Sequence, residues 1–240
     1  MDNVLARKLE LFGELPPSDR ELLDEIVSAP RQVEADTDLI REGERPNHVH
    51  VVIQGLACRY QMLEDGKRQI TAFLLPGDFC DLHVFILKAM DHNIATLTES
   101  SVAIVPRTKV LELTERPALA RALWWATLVD EATLRATVVN IGRREAEERV
   151  AHLFCELHLR LQAVGLADGG TFELPLTQAE LADAMGISAV HANRMLQSLR
   201  QRHLIRVSTK SVTILDVARL RELSGFDPNY LHLEGGQPGA

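Results

Sequence analysis

The stretch GISAVHANR, residues 186–194, sets a glycine where a chain can bend and a helix-starting serine two positions on. Small residues follow, then His191, Asn193 and Arg194. Imidazole, amide and guanidinium at helical spacing suit hydrogen-bonded recognition of a surface better than bond-making. Two other groupings have metal-ligand residue types. His48 and His50 alternate along one strand and so point to one face. His152, Cys155 and His158 follow one side of a helix at i, i+3, i+6.

Charge favours the first grouping. The net charge is −8, yet residues 184–215 contain no Asp or Glu and carry Arg194, Arg200, Arg202, Arg206 and Lys210. That island is +5, which leaves −13 on the rest of the chain. A basic island on an acidic protein is a localised electrostatic footprint for a polyanion. No run of 18 apolar residues exists, so no membrane span is expected. The N-terminal MDNVLARKLELFGELPP has acidic residues and no continuous apolar core, unlike a signal peptide. Three scattered cysteines, Cys58, Cys80 and Cys155, argue against a disulfide framework and for a reducing, cytoplasmic setting.

The elements that must position these residues change character along the chain. Residues 4–13 have a helical pattern, and Ser18-x-x-Glu21 has the form of a capping box opening a short helix to about Ser28. From Val33 to Val110 short β-rich runs appear (VHVVIQG, ACRYQM, QITAFLL, SVAIV). Gly43, Gly55, Gly66 and Gly77 punctuate them at intervals of 12, 11 and 11, which predicts a small all-β barrel or roll. Asp65-Gly66 is a hairpin-turn candidate. After Pro117 a long helix is predicted. Ala118, Ala122, Trp125, Val129, Ala132, Ala136 and Val139 recur at 4-3-4-3 spacing, the period of a coiled-coil seam. Trp125, Val129, Ala132, Ala136 and Val139 are therefore the expected dimer seam. An amphipathic helix lying on its own barrel would give the same period. Gly142 marks an expected hinge before a second helix over about 143–164.

Thr177-Gln-Ala-Glu180 is a further capping box, opening a helix that ends near Met185. Ser188 caps the next helix, to about Gln201. With Gln178 as the first position of a helix-turn-helix, Leu181, Met185, Ile187, Ala192 and Met195 fall where two helices must bury apolar groups. Ala182 then falls at the crossing and Gly186 at the turn. LIRV and SVTIL, flanking Ser208 to Lys210, add a hairpin wing, and the tail EGGQPGA has a disordered composition.

On these residues the chain resembles the Crp/Fnr family of bacterial transcription regulators. LIREGERPNHVHVVIQGLA looks like the family's first β-roll segment and FLLPGDF like its Gly-Asp turn. LTQAELADAMGISAVHANRMLQSLRQRHLI looks like its winged helix-turn-helix. The resemblance implies an α+β protein. Its parts would be an N-terminal β-roll of cyclic-nucleotide-binding-like jelly-roll type with leading helices (1–114), a dimerisation helix (115–142), a winged helix-turn-helix (143–227) and a tail (228–240). It implies a homodimeric, sequence-specific regulator acting on an inverted-repeat operator in double-stranded DNA, with RNA polymerase as a further partner.

By the same resemblance, the base-reading positions are Ala189, Val190, Asn193 and Arg194. Arg194 can pair bidentately with guanine O6/N7, Asn193 with adenine N6/N7, and Ala189 or Val190 can touch a thymine methyl. The family's cyclic-AMP receptor has Arg and Glu where Ala189 and Val190 stand, so a different operator is expected. His191, Ser188, Thr177, Gln178, Arg206 and Lys210 are expected at the DNA, with phosphate contacts from His191, Thr177, Gln178 and the wing.

The effector is less legible. The candidate pocket segment is PGDFCDLHVFILKAMDHNIATL, with Phe79, Cys80, Asp81, His83, Asp91 and His92 as candidate lining. A cyclic-nucleotide pocket in this family needs an arginine for the phosphate. The expected Arg-Ser-Ala falls at Met90-Asp91-His92, and no arginine lies between Arg68 and Arg107. A buried phosphate beside Asp91 without a cation is poorly compensated. The motif is thus degenerate, and cyclic AMP is not the expected ligand. No cysteine precedes Cys58, against an iron–sulfur cluster. A regulator of the same family responding to haem, on Cys80 and His83, or to a cyclic nucleotide is an alternative, and no cofactor is required by the sequence. A cupin-like metal enzyme on His48 and His50 is a further alternative. It lacks its Glu, with Gln54 in that place, and a third His.

The missing arginine gives a direct expectation. Cyclic AMP titrated into the protein in a calorimeter produces no binding heat and leaves DNA affinity unchanged; a micromolar dissociation constant would overturn the reading of this segment.

Overall fold

The computed structural model describes residues 3–82, 86 and 89–233. Its contacts divide the chain into two compact units. One comprises residues up to 61 together with 72–131, and the other 62–71 together with 132–231.

In the first unit, helix α1 (Val4–Glu10) is capped by Asn3, whose side chain accepts from the Leu5 and Ala6 amides. Helix α2 (Pro17–Val27) starts differently from expectation. Its cap is Pro16, with no side-chain cap bond, and Ser18 lies inside the first turn rather than ahead of it. Proline at the first helical position has no N–H to be satisfied and a preset φ, so a capping box is not needed there.

The roll follows. Strands β1 (Arg31–Val33), β2 (Asp38–Ile40), β3 (His48–Gln54), β4 (Ala57–Met62), β5 (Arg68–Leu74), β6 (Asn93–Thr96) and β7 (Ser100–Pro106) form two antiparallel sheets. Their orders are β1-β7-β3 and β2-β6-β4-β5. Gly77 shows why the punctuating glycines matter. Its φ is +92°, and a Cβ there would sit 2.9 Å from the Val4 carbonyl oxygen, because α1 lies against this turn.

Alternation along β3 builds two cores. Val49 and Val51 face a cluster with Leu5, Leu9, Leu22, Leu23, Val110 and Leu119, from α1, α2, helix α3 (Arg107–Glu115) and helix α4 (Pro117–Arg143). Val52 faces the roll interior with Ile40, Ala57, Leu74, Cys80, Met90 and Ile94.

Helix α4 packs part of its length on the chain's own core. Leu119, Ala122 and Leu123 are buried against the roll, with Ala118 and Ala126 beside them. Of the five expected seam residues, Ala132 is buried within the chain. Trp125, Val129 and Ala136 are half-buried, with Trp125 against Phe12 at 6.3 Å, and only Val139 is exposed. The large exposed apolar side chains are instead Trp124, Leu128, Leu134, Val138 and Val139. The roll core takes the face with Leu119, Ala122 and Leu123, and the large exposed side chains lie on a neighbouring face of the helix. Gly142 is not the break: α4 continues to Arg143, and the helix ends before Glu145 caps the next one.

In the second unit, helix α5 (Ala146–Ala163) runs through the core, burying Val150, Leu153, Phe154, Leu157 and Leu161. Strands β8 (Ala167–Asp168), β9 (Thr171–Glu173), β10 (Ile205–Val207) and β11 (Ser211–Ile214) form one sheet in the order β10-β11-β9-β8. Helices α6 (Gln178–Met185) and α7 (Ala189–Gln201) lie between β9 and β10, and helix α8 (Val217–Ser224) follows β11.

The three residues with metal-ligand spacing on α5 are core instead. His152 packs edge-on against Phe226 at 5.0 Å and stacks with Tyr230. His158 bonds the Gly169 carbonyl at 2.6 Å, and Cys155 is buried, its thiol pushed up to about 11 by burial. The expected tail boundary also moves. Pro228–Leu231 forms a helical turn, Leu231 is fully buried, and the Tyr230 hydroxyl donates to Glu156 at 2.8 Å. The other oxygen of Glu156 takes Arg160 at 3.2 Å. The EGGQPGA stretch falls outside the described residues.

Burial, with a smaller contribution from Arg144, lowers the His152 pKa to about 4. The unfolded chain, with histidine near its ordinary 6.5, binds this proton first. The neutral imidazole's contribution is therefore full above about pH 6.5 and is lost as pH falls toward 4, to a total of at most roughly 3 kcal/mol. Urea denaturation at pH 7 and pH 4.5 should show a larger loss of stability for the wild type than for His152→Phe; equal losses would refute this.

Candidate nucleic-acid interface

The exposed part of the basic island is built by local signals. The Thr177 hydroxyl accepts from the Glu180 amide at 3.2 Å and donates to the Glu180 carboxylate at 2.8 Å, while the Thr177 N–H reaches the same oxygen at 2.6 Å. This reciprocal capping box satisfies the first turn of α6 and accounts for a glutamate only 5% exposed. At the other end Gly186 takes φ +65°, its N–H bonding the Ala182 carbonyl. A left-handed residue here closes α6 and re-aims the chain without a Cβ penalty. Ser188 then caps α7, its side chain accepting from the His191 amide at 3.2 Å.

Leu181, Ala182, Met185 and Ala192 are buried where the two helices meet, as their spacing predicts; Ile187 and Met195 are half-buried. Two long-range ties fix the pair against α5. Arg149 donates to the last carbonyl of α6, Met185, at 3.1 Å, and Arg202 at the end of α7 meets Glu147 at 2.9 Å. Of the two acids that flank the island, Asp183 is met by Arg68 at 2.7 Å and Asp216 caps α8.

The outward face of α7 is then defined. Ser188, Ala189, Val190 and Arg194 are exposed, Val190 to 70%, with His191 and Asn193 half-buried beside them. An exposed valine next to an arginine on a face without acids is what a thymine methyl and a guanine edge require. Gln197, one turn beyond Arg194 on the exposed face, was not among the expected residues. Its i+3 spacing from Arg194 and i+7 from Val190 was the available signal. Gln178 is exposed at the start of α6. Thr177 is exposed as a residue, but its hydroxyl is committed to Glu180, so its part is to set the helix.

Arg206 on β10, opposite Thr213, and Lys210 in the turn are both exposed. The turn is held by Ser208, whose hydroxyl accepts from the Ser211 amide at 3.0 Å. A guanidinium and an ammonium on a short hairpin suit phosphate oxygens.

The five described candidate effector residues do not converge. Phe79 belongs to the core between sheet and helices, while Cys80 belongs to the roll interior. Burial and neighbouring Asp81 push the Cys80 thiol well above its ordinary range, which works against a thiolate ligand. Asp81 is fully buried and holds His50 through the backbone amide at 2.8 Å and Nδ1 at 2.9 Å. Asp91 and His92 pair with each other at 2.7 Å, and His83 lies outside the described residues. Of the cupin-like pair, His48 meets the His50 ring edge-on at 4.7 Å, and the His50 imidazole is engaged by Asp81.

Comparison with known proteins agrees with this geometry. Residues 148–223 match the Crp-like helix-turn-helix domain family, and residues 30–116 the cyclic nucleotide-binding domain family. The nitrogen fixation regulation protein FixK of Bradyrhizobium diazoefficiens is 31% identical over 72% of this chain and 72% of its own. The transcriptional activator protein FnrL of Cereibacter sphaeroides is 29% identical over 87% of this chain and 83% of its own. The structure of FixK2 from Bradyrhizobium japonicum superposes with a TM-score of 0.73 at 26% identity, covering 81% of this chain and 96% of that one.

The division of labour between helix and wing is testable by salt titration on selected and scrambled DNA. Arg194→Ala should cost roughly 1–3 kcal/mol per half-site on the selected sequence and relax preference at one base. Arg206→Ala or Lys210→Ala should weaken both DNAs alike and lower the salt slope by about one per lost contact. Equal weakening of both DNAs by Arg194→Ala would make it a phosphate anchor.

Proposed function

Because the chain belongs to the Crp/Fnr family of DNA-binding transcription regulators, we propose that it works as a homodimer on an inverted-repeat operator, under control of its β-roll. One observation carries the reading of the DNA surface: an exposed, acid-free face of α7 with a basic hairpin in the same unit. A dimer presenting one α7 per subunit reads two half-sites about one helical turn, ~34 Å, apart. The family assignment overturns the metal-enzyme alternative: the protein is a regulator and not an enzyme. Among the described residues no helix is long and apolar enough to cross a membrane. A cytoplasmic location and RNA polymerase as a partner complete the proposal.

The dimer surface we propose is the outward stripe of α4, which shares Val139 with the expected seam and lies beside the rest of it. Trp124, Leu128, Leu134, Val138 and Val139 would leave a run of large apolar side chains in water along one helix. A second α4, packed in parallel, covers them. The effector stays unassigned: no geometry of the described residues favours haem or a cyclic nucleotide over another ligand.

Leu128→Asp or Val138→Asp should give monomers in light scattering, because like charges would face each other across the buried seam. Nuclease footprinting of the wild type on DNA selected from random sequence should show two protected half-sites in inverted orientation. An unchanged dimer, or a single protected half-site, would overturn this arrangement.

A further inference from the structure

Inside the roll one cation is held in an unusual way. Arg59 lies two residues along β4 from Ala57 and so springs from the same face, the one that lines the interior core. Its side chain is 14% exposed. It donates from Nε to the Cys80 carbonyl at 3.0 Å, from Nη2 to the Phe79 carbonyl at 3.3 Å, and from Nη1 to the Asp130 carboxylate on α4. One guanidinium therefore joins three elements that share no covalent neighbourhood. These are strand β4, the segment after Gly77 where an effector was expected, and the long helix.

A buried guanidinium without acceptors would be costly, and this one is supplied on two of its edges. The carbonyls it uses belong to residues whose side chains point to different cores, Phe79 to one and Cys80 to the other. Those carbonyls are acceptors that a bound small molecule with donor groups would otherwise have to satisfy.

We propose that Arg59 is the roll's resident ligand: from within the chain it couples the 79–80 segment to α4, so the DNA-competent arrangement needs no diffusible effector there. The proposal deepens the effector-domain part of the reading above and rests on it. It also gives the arginine missing after Arg68 a counterpart, since the cation is supplied by β4 and its anion by the helix rather than by a nucleotide phosphate.

The test uses the full chain and a readout that needs no DNA. The only two tryptophans, Trp124 and Trp125, both lie on α4 within two turns of Asp130. Arg59→Ala should shift their emission, and millimolar ethylguanidinium should restore it while ethylammonium at equal ionic strength does not. On DNA selected by the wild type, Arg59→Ala should bind about tenfold or more weakly, the size of an ordinary coupling between two sites, and recover with ethylguanidinium. Asp130→Asn, a half-exposed and size-conserving change, should reproduce the emission shift and serves if Arg59→Ala does not fold. Emission and affinity unchanged in both variants, or lost without recovery by ethylguanidinium in a folded Arg59→Ala, would overturn the proposal. Failure of the wild type to select any DNA would instead overturn the regulator reading and leave the emission result to decide this one.

Discussion

The bend at Gly186 governs where every candidate base-reading group lies. With φ at +65° it ends α6 and sends the chain into α7 over two residues, so the crossing of the two helices is set by backbone geometry. Ala182 and Ala192, both almost fully buried, let the helices close to that crossing. Arg149 then reads out the same bend from α5 by donating to the Met185 carbonyl, the last of α6. The outward display of Val190 and Arg194 follows from these contacts rather than from any preference of their own. A side chain other than glycine at 186 would strain the left-handed turn, and the error would reach every contact along α7.

Electrostatics divides the protein by use. Four acidic groups of the C-terminal unit are engaged structurally: Glu180 caps α6, Glu156 ties α5 to Tyr230, Glu147 meets Arg202, and Asp183 meets Arg68. Placed against the basic face, the same carboxylates would repel phosphate. Committed to caps and pairs, they hold the geometry while the acid-free surface keeps its field. A net charge of −8 is thus compatible with a DNA-binding surface, because the charge that matters is local.

What could be read from the sequence was what neighbours in the chain decide. Thr177 to Glu180, Gly186 and Ser188 form caps and a turn within a few residues, and the helices appear at Gln178–Met185 and Ala189–Gln201 as those signals predict. The glycines from Gly43 to Gly77 marked the roll for the same reason. The face of α4 that meets the chain's own core was not legible, because apolar residues lie on more than one side of the helix and only the packing of the roll on Leu119, Ala122 and Leu123 chooses among them. The pocket was not legible either. Successive residues of the 79–81 segment send side chains to different surroundings, and the group that ties the segment to α4, Arg59, comes from twenty residues upstream. Strands as short as Ala167–Asp168 and Thr171–Glu173 carry too little pattern to be seen without β11 beside them.

The packing of Phe226 and Tyr230 against α5 has a consequence for the order in which the chain can complete its cores. The aromatic wall on which His152 rests and the hydroxyl that engages Glu156 are both supplied some 75 residues after the helix they complete. A chain still being synthesised can form the roll, whose core draws on residues up to α4, well before that wall arrives. The C-terminal unit, by contrast, completes the wall along α5 only once Phe226 and Tyr230 are in place, so any variant cut before them should lose packing in this unit and not in the roll.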